Sequence, residues 1–559
     1  MQKAVNILVS HVLNNGIRHV IICPGSRNAP LTLSFSRNPQ FECYSLVDER
    51  SAGFTALGMA VALEKPVAIV CTSGTAVLNL YPAITEAYYS QIPLLVITAD
   101  RPTEWIDQWD GQCIRQTNIF EKHILGSFTF NPLNPNFNFN EAIGLCSFPK
   151  KGPVHINVPL AEPLYEAKNE EFVYDKLPSV PKHLDLSVGV LTNRNITNHK
   201  KIILLAGADA WGERFKESFE LLKSKGKIVV LADVISGLHA SQSVPNWDVI
   251  CTVADDSLKQ ILKPDLLITI GKFTVSKSFK KFIRSHKSKE HWHVTNNHTI
   301  ANPFETNPTE IEADEAVFLE WLMKSADHLD NSYNTPWLQV SEKLNASTES
   351  LFKTSTFNEF SATNLILENL PKNSFLNVAN SMPVRFVSFL ADKLNGIKIY
   401  GNRGTSGIEG SISTAAGTSM MSNQPTFLLT GDLSFFYDIN GLWNQYLKPN
   451  FKIIVLNNGG GGIFRLIDGP HDLPEREDYF ATQSTRNCQR MAEEFGFSYY
   501  KANDFVSLQT EFEMFCKDET KPGILEIFTK PENTIEFYKQ FKNIVTSCHS
   551  EARGIFLSK

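Results

Sequence analysis

Short apolar segments ending in small and polar residues alternate with helix-forming stretches along most of this chain. Few architectures accommodate that order. In the first third, residues 2–15 carry the apolar spacing of an amphipathic helix. Strands are predicted at residues 19–23, 41–47, 67–72 and 93–99, and the Ala- and Gly-rich stretch 51–63 reads as a close-packed helix. Each strand runs into a polar cluster: Gly25-Ser26-Arg27, Asp48-Glu49-Arg50, Ser73-Gly74-Thr75 and Asp100-Arg101. Strands joined through helices make a parallel sheet covered on both faces. Ligands of such sheets collect at the carboxyl ends of the strands, which is where these clusters lie.

The alternation stops over residues 165–200, a charged, Pro-containing stretch without periodicity that reads as a linker. It resumes with strands predicted at 201–206, 228–232, 266–270 and 291–294. A polar stretch from about 325 to 350 leads into a third run, with strands at 375–378, 398–400, 426–430, 452–456 and 523–528. The fold class is α/β: three doubly wound parallel-sheet domains, over residues 1–175, 185–335 and 350–559. No short-period repeat points to a solenoid.

Composition narrows the function classes. Hydrophobic residues at 42% and charged residues at 20% exclude a disordered chain. Fifty-three basic residues against 59 acidic ones give a net charge of −6, so no nucleic-acid surface rests on bulk charge. No apolar run approaches the ~20 residues of a membrane span, and the N-terminus lacks a signal-peptide core. Nine cysteines without a CxxC pair exclude a disulfide scaffold and a paired redox or zinc motif. A cytoplasmic location is the expectation.

The most specific motif lies in the third run. The strand TFLLT ends in Gly431-Asp432-Leu433-Ser434, and the strand KIIVL ends in Asn457-Asn458 followed by four glycines, 459–462. The intervening DINGLWNQYLKPN reads as a helix and a turn. Hard oxygen ligands at neighbouring strand ends suit Mg²⁺, which shares its sites with phosphate. The glycines let backbone groups approach a diphosphate. No GxGxxG opens a helix after a strand and no GxxxxGK[ST] occurs, so dinucleotide and P-loop fingerprints are absent.

This pattern resembles the diphosphate motif of thiamine diphosphate enzymes. The resemblance implies that Asp432, Asn458 and the Gly460 carbonyl hold Mg²⁺ (or Mn²⁺) against the diphosphate, with Gly431, Leu433, Ser434 and Gly461 around it. It also implies a carboxylate from the pyrimidine-binding domain of a partner subunit, for which Glu49 in VDERSAGFTALGMA is the candidate. Ser73-Gly74-Thr75 would line the pyrimidine pocket. Ser406-Gly407-Ile408 resembles the segment that keeps the cofactor bent, with Ile408 as the apolar wedge.

Four arginines sit after predicted strands or at the start of the next helix: Arg27, Arg101, Arg385 and Arg403. Arginine binds carboxylates through two parallel hydrogen bonds, so four around one cleft point to substrates with several carboxylates. Together CPGSRNAPL, TSGTAVLNLYPAITEA, LLVITADRPTE, GPVHINVPLAEPL, NSMPVRF, GNRGTSGIEGSISTAAG, LTGDLSFFYDINGL and NNGGGGIF resemble the 2-succinyl-5-enolpyruvyl-6-hydroxy-3-cyclohexene-1-carboxylate synthases of menaquinone biosynthesis. That family implies decarboxylating transfer of the succinyl semialdehyde unit of 2-oxoglutarate to isochorismate, by a homodimer or dimer of dimers. Carried over, Asn380, Ser381, Arg385 and Arg403 would handle the 2-oxoglutarate carboxylate. Ser26, Arg27, Asn79, Arg101, Gln112 and Lys277 would face isochorismate, against an apolar wall of Ile463, Phe464 and Ile467. Three departures touch the rim: Ser278 stands where some members have arginine, AEPL at 161–164 replaces the commoner REPL, and ATQSTRNCQ at 481–489 strays from the family pattern. Other readings stay open here: an acetolactate-synthase-like enzyme, or a non-catalytic thiamine diphosphate-binding protein.

Overall fold

The structure, a computed structural model, describes residues 2–133, 137–165, 194–208, 212–295, 301–467 and 469–557. It contains three parallel sheets. The first joins β1 (His19–Ile22), β2 (Glu42–Ser45), β3 (Val67–Cys71), β4 (Leu94–Asp100), β5 (Ser127–Thr129) and β6 (Val154–Pro159) in the order β2-β1-β3-β4-β6-β5. The second joins β7 (Ile202–Ala206), β8 (Val229–Ala232), β9 (Leu266–Ile270), β10 (Glu290–Thr295) and β11 (Thr309–Glu312) in the order β11-β10-β9-β7-β8. The third joins β12 (Phe375–Val378), β13 (Lys398–Tyr400), β14 (Thr426–Gly431), β15 (Phe451–Asn457), β16 (Ser498–Ala502) and β17 (Gly523–Phe528) in the order β13-β12-β14-β15-β17-β16. Central strands such as β15 are buried on both faces, so they read as continuous apolar runs rather than alternating ones.

The first and third sheets have the same topology: one order maps onto the other strand by strand. In both, the order reverses beside the first strand, and such a switch point opens a crevice at the strand ends. In the first sheet it lies between β1 and β3, beside Gly25-Ser26-Arg27 and Ser73-Gly74-Thr75. In the third it lies between β12 and β14, beside Asn380-Ser381 and Asp432.

The two sheets meet through equivalent helices, Glu49–Leu63 and Ser411–Met421. Small residues make this crossing close. A Cβ on Gly58 would stand 1.9 Å from the Thr414 carbonyl oxygen, and one on Gly417 would stand 2.0 Å from that of Thr55. The reciprocity marks a local two-fold relation between the domains.

One expectation changes. The polar stretch at 325–350 is largely a helix, Asn334–Thr354, whose buried Trp337, Val340, Leu344 and Leu351 repeat at helical spacing. Trp337 meets Phe282 of the middle sheet's helix, and Phe352 meets Phe537 of the C-terminal helix, so this segment packs against both neighbours. The linker read over 165–200, with the boundaries at 175 and 185, lies mostly outside the described residues.

Candidate active site

Asp432 opens the helix Asp432–Tyr437 directly after β14, where DINGLW had been expected to supply the helix; Ile439–Leu442 is instead a short 3-10 turn. Asp432 Oδ1 accepts a hydrogen bond from Leu433 N at 2.9 Å. Its Oδ2, and Oδ1 of Asn458 at the end of neighbouring β15, are buried without a hydrogen-bond partner. Orphaned buried oxygens are costly, and a small cation satisfies oxygens that water cannot reach. Burial pushes the Asp432 carboxyl up to about 6, against hydrogen bonds from backbone N–H groups including that of Gly460.

Gly460 takes φ +146°, and a Cβ there would stand 2.6 Å from the Ala481 carbonyl oxygen. Only glycine fits that turn. Gly461 N donates to the same Ala481 oxygen at 2.6 Å. Among the described residues no set of three or more His, Cys, Asp or Glu side chains is gathered for a metal. A cation held here would therefore draw on amide, carbonyl and phosphate oxygens besides Asp432, which is how Mg²⁺ is commonly bound.

Sequence reasoning missed Glu359. It is fully buried and hydrogen-bonds the Asn458 side chain; burial pushes its carboxyl up to about 7, with the nearby Asp432 charge adding to the shift and the Asn458 bond opposing it. Its only sequence signal is an acid at the first position of a helix that follows the Asn358 cap.

The segment after β13 is held by one amide. Asn380 Nδ2 donates to Asn402 O at 2.8 Å and Gly407 O at 2.6 Å, and its Oδ1 accepts from Arg403 Nη1 at 2.6 Å. Ser381 sits at φ +76° as the N-cap of the helix Met382–Phe389, and its carbonyl accepts from Arg385 Nη1. Burial lowers the pKa of both guanidiniums, and for Arg403 the Arg385 charge adds to it while Asp233 opposes. Arg403 Nε has no partner. Two neighbouring half-buried cations with spare donors form a carboxylate niche.

Ser406, at φ +63°, and Gly407 lead to Ile408, 40% exposed, whose carbonyl accepts from Ser434 Oγ at 2.6 Å. Glu86 of the first domain, also missed, holds this segment. Its buried carboxylate accepts from Gly404 N at 2.8 Å, and from Thr405 N and Oγ1, both at 2.7 Å.

In the first domain, Arg27 is buried. It donates to Leu160 O at 2.9 Å and lies 3.4 Å from exposed Glu162, and its Nε has no partner. The AEPL departure thus surrounds a contact made by the Leu160 backbone and by Glu162. Arg101 donates to Gly111 O at 2.7 Å, and its Nε is likewise unpartnered. Both guanidiniums lie against the Trp105 ring, at 5.5 and 6.0 Å, so the structure brings them together. Trp105 was not foreseen.

Ser73 Oγ donates to Gln112 O at 2.9 Å, and Gly74 N donates to Gln116 at 2.9 Å. This ties Ser73-Gly74-Thr75 to the Gln112 loop. Ser26, Thr75 and Gln112 are exposed beside these groups. Asp48 caps the Glu49–Leu63 helix, and Glu49 at its first position accepts from Asn79 Nδ2 at 3.3 Å.

Lys277 is exposed at the start of the helix Lys277–Ser285, whereas Ser278 turns inward to Thr252 Oγ1 at 2.8 Å. Ile463 and Phe464 lie on the 3-10 turn Gly462–Arg465, partly covered, and Ile467 is 37% exposed. Among the described residues no hydrogen bond or ion pair joins Glu49 to Asp432, Asn458 or Gly460 within the chain.

Family models match in the same three-part order. "Thiamine pyrophosphate enzyme, N-terminal TPP binding domain" matches residues 2–119. "Middle domain of thiamine pyrophosphate" matches 190–378, and "Thiamine pyrophosphate enzyme, C-terminal TPP binding domain" matches 388–527. A Flavobacterium johnsoniae protein named 2-succinyl-5-enolpyruvyl-6-hydroxy-3-cyclohexene-1-carboxylate synthase is 38% identical over 537 residues, covering 95% of this chain and 96% of the relative. Proteins of the same name from Flavobacterium psychrophilum and Bacteroides fragilis are 40% and 35% identical, covering 96% and 99% of their lengths. The chain belongs to this synthase family. Its thiamine diphosphate-binding domains are the first and third. No described helix is long and apolar enough to cross a membrane.

Proposed function

We propose that this protein is the thiamine diphosphate- and Mg²⁺-dependent carboligase that transfers the succinyl semialdehyde unit of 2-oxoglutarate to isochorismate. CO₂ and 2-succinyl-5-enolpyruvyl-6-hydroxy-3-cyclohexene-1-carboxylate are the products, on the way to menaquinone. The observation that carries this reading is the pair of cationic niches, Arg385 with Arg403 and Arg27 with Arg101, each with buried donors left over. Two substrates bearing carboxylates need two such niches.

Bound thiamine diphosphate supplies the nucleophilic carbon and electron sink that decarboxylation and carbon–carbon bond formation require. Asp432, Asn458 and the Gly460 carbonyl would hold its diphosphate through Mg²⁺. The orphaned side-chain oxygens of Asp432 and Asn458 and the Cβ-free turn at Gly460 fit that group. Glu49 is the carboxylate assigned to a pyrimidine ring nitrogen, where it holds a proton. Arg403 and Arg385, with Asn380 and Ser381, bind the 2-oxoglutarate carboxylate remote from the reacting carbon. Arg27, Arg101, Gln112 and Lys277 hold the carboxylates of isochorismate, and Ser26 and Asn79 border the same niche. Ile463, Phe464 and Ile467 shield the acceptor ring from water.

The working unit is a homodimer. Exposed Val47 and Leu78 flank Glu49 and Asn79, and Tyr437 and Trp443 are exposed near the third domain's cofactor helix. Solvent-facing apolar side chains of this kind mark an interface with a second copy. The eight cysteines with described side chains are free thiols, as suits a cytoplasmic enzyme.

Isochorismate absorbance, followed with protein, thiamine diphosphate, Mg²⁺ and 2-oxoglutarate, tests the reading. It should fall only when all are present. Rapid CO₂ release from pyruvate with no loss of isochorismate would point to an acetolactate-synthase-like enzyme instead.

A further inference from the structure

The middle domain buries two carboxylates behind the arginine niche. Asp233, just beyond β8, accepts from Thr274 Oγ1 at 2.6 Å, from Val275 N at 2.7 Å and from Ile235 N at 3.2 Å. It thereby fixes the turn that leads into the Lys277–Ser285 helix. Asp248, in the helix Trp247–Val253, uses one oxygen within the middle domain and the other across the boundary to the third. One accepts from Ser276 Oγ, the residue that caps the Lys277–Ser285 helix. The other accepts from Ser388 Oγ at 2.7 Å, three residues along the same helix from Arg385. Asp248, Ser276 and Ser388 are all buried.

A carboxylate this enclosed, bonded only to two hydroxyls, is expensive to keep charged. Burial pushes it up to about 6, and the charge of Asp233 adds to the shift while that of Arg385 opposes it. A fold that needed only packing here would be served by an apolar residue. What Asp248 does that an apolar residue cannot is tie two particular helices to one atom group. One helix begins at Lys277, on the side assigned to isochorismate. The other presents Arg385, on the side assigned to 2-oxoglutarate.

We propose that Asp248 is a positioning residue that sets Arg385 through Ser388 and Lys277 through Ser276, so that one middle-domain carboxylate aligns both substrate niches. This rests on the functional reading given above.

Steady-state kinetics of the holoenzyme separates the two arms. Ser388→Ala should raise KM for 2-oxoglutarate roughly tenfold, the effect of one lost hydrogen bond, and leave KM for isochorismate within about twofold. Ser276→Ala should do the reverse. Asp248→Ala should raise both. Asp248→Asn should recover most of the loss, because rotatable hydroxyls can bond an amide as well as a carboxylate. Thiamine diphosphate affinity, read from tryptophan fluorescence, should be unchanged in all four. The inference is overturned if the serine variants raise both KM values equally, if neither raises its own, or if cofactor affinity falls in parallel. If Asp248→Ala does not fold, the serine variants still decide. Failure of the functional reading is distinct: the wild type would then not turn over the substrate pair, which overturns this inference with it.

Discussion

Asp432 and Gly460 carry the sharpest residue-scale tests. Asp432→Ala removes the carboxylate whose Oδ2 is orphaned. Calorimetry with Mg²⁺ present should show thiamine diphosphate binding weakened at least ~10–100-fold, the range seen when even a metal ligand's supporting partner is lost. Wild-type affinity in that variant would refute the metal assignment. Gly460→Ala should weaken binding as well, because the Ala481 carbonyl occupies the space a methyl needs. Asp438 tests the electrostatics away from the metal position. Burial pushes its carboxyl up to about 6 from the usual 3.8, against hydrogen bonds from Ser413. The folded protein thus holds this proton more tightly than the unfolded chain. Its stabilising contribution is complete below about pH 4 and is lost as pH rises through about 6. Relative to Asp438→Asn, the wild type should lose up to about 3 kcal/mol of stability between roughly pH 4 and pH 7. Urea unfolding at the two pH values checks this, and a difference that grows in the other direction would contradict it.

At the scale of elements, the crossing of the Glu49–Leu63 and Ser411–Met421 helices is the joint between the two cofactor domains. Gly417→Ala forces a methyl to within 2.0 Å of the Thr55 carbonyl. Overpacking of this kind costs about 1–3 kcal/mol or more, so denaturant midpoints should fall; an unchanged midpoint would mean that the helices separate freely. The crossing was legible in the sequence only as a run of small residues, since nothing in one helix names its partner. Most central strands were legible because burial on both faces leaves continuous apolar runs. β5, β6, β11 and β16 were missed: β5, β11 and β16 are edge strands, β5 and β11 are short, only partly buried and without a clear period, and buried central β6 interrupts its apolar residues with His155 and Asn157. Glycines and polar residues at strand ends exposed the cofactor motif, because a tight turn and a hard cation each demand particular residue types. Glu86, Glu359 and Asp248 stayed hidden because an acid in a helix looks like a surface residue until the fold buries it.

For the whole molecule, the repeated topology of the first and third sheets lets one chain carry both halves of the proposed cofactor site, Glu49 beyond β2 and Asp432 at the end of β14. Within the chain no hydrogen bond or ion pair links them among the described residues, so on the proposed reading a second copy supplies the other half. Mixing inactive Glu49→Gln with inactive Asp432→Ala should restore part of the activity through hybrid dimers that contain one intact site. No recovery, with subunit exchange verified by mass spectrometry, would place both residues in one subunit's site or in none.

The most direct measurement is CO₂ release from each 2-oxo acid, paired with isochorismate consumption by the same sample. With thiamine diphosphate and Mg²⁺ bound, 2-oxoglutarate should release CO₂ in one-to-one proportion with isochorismate lost, and Arg403→Ala should depress both together. CO₂ released from pyruvate at least as fast as from 2-oxoglutarate, or released without any consumption of isochorismate, would contradict the account.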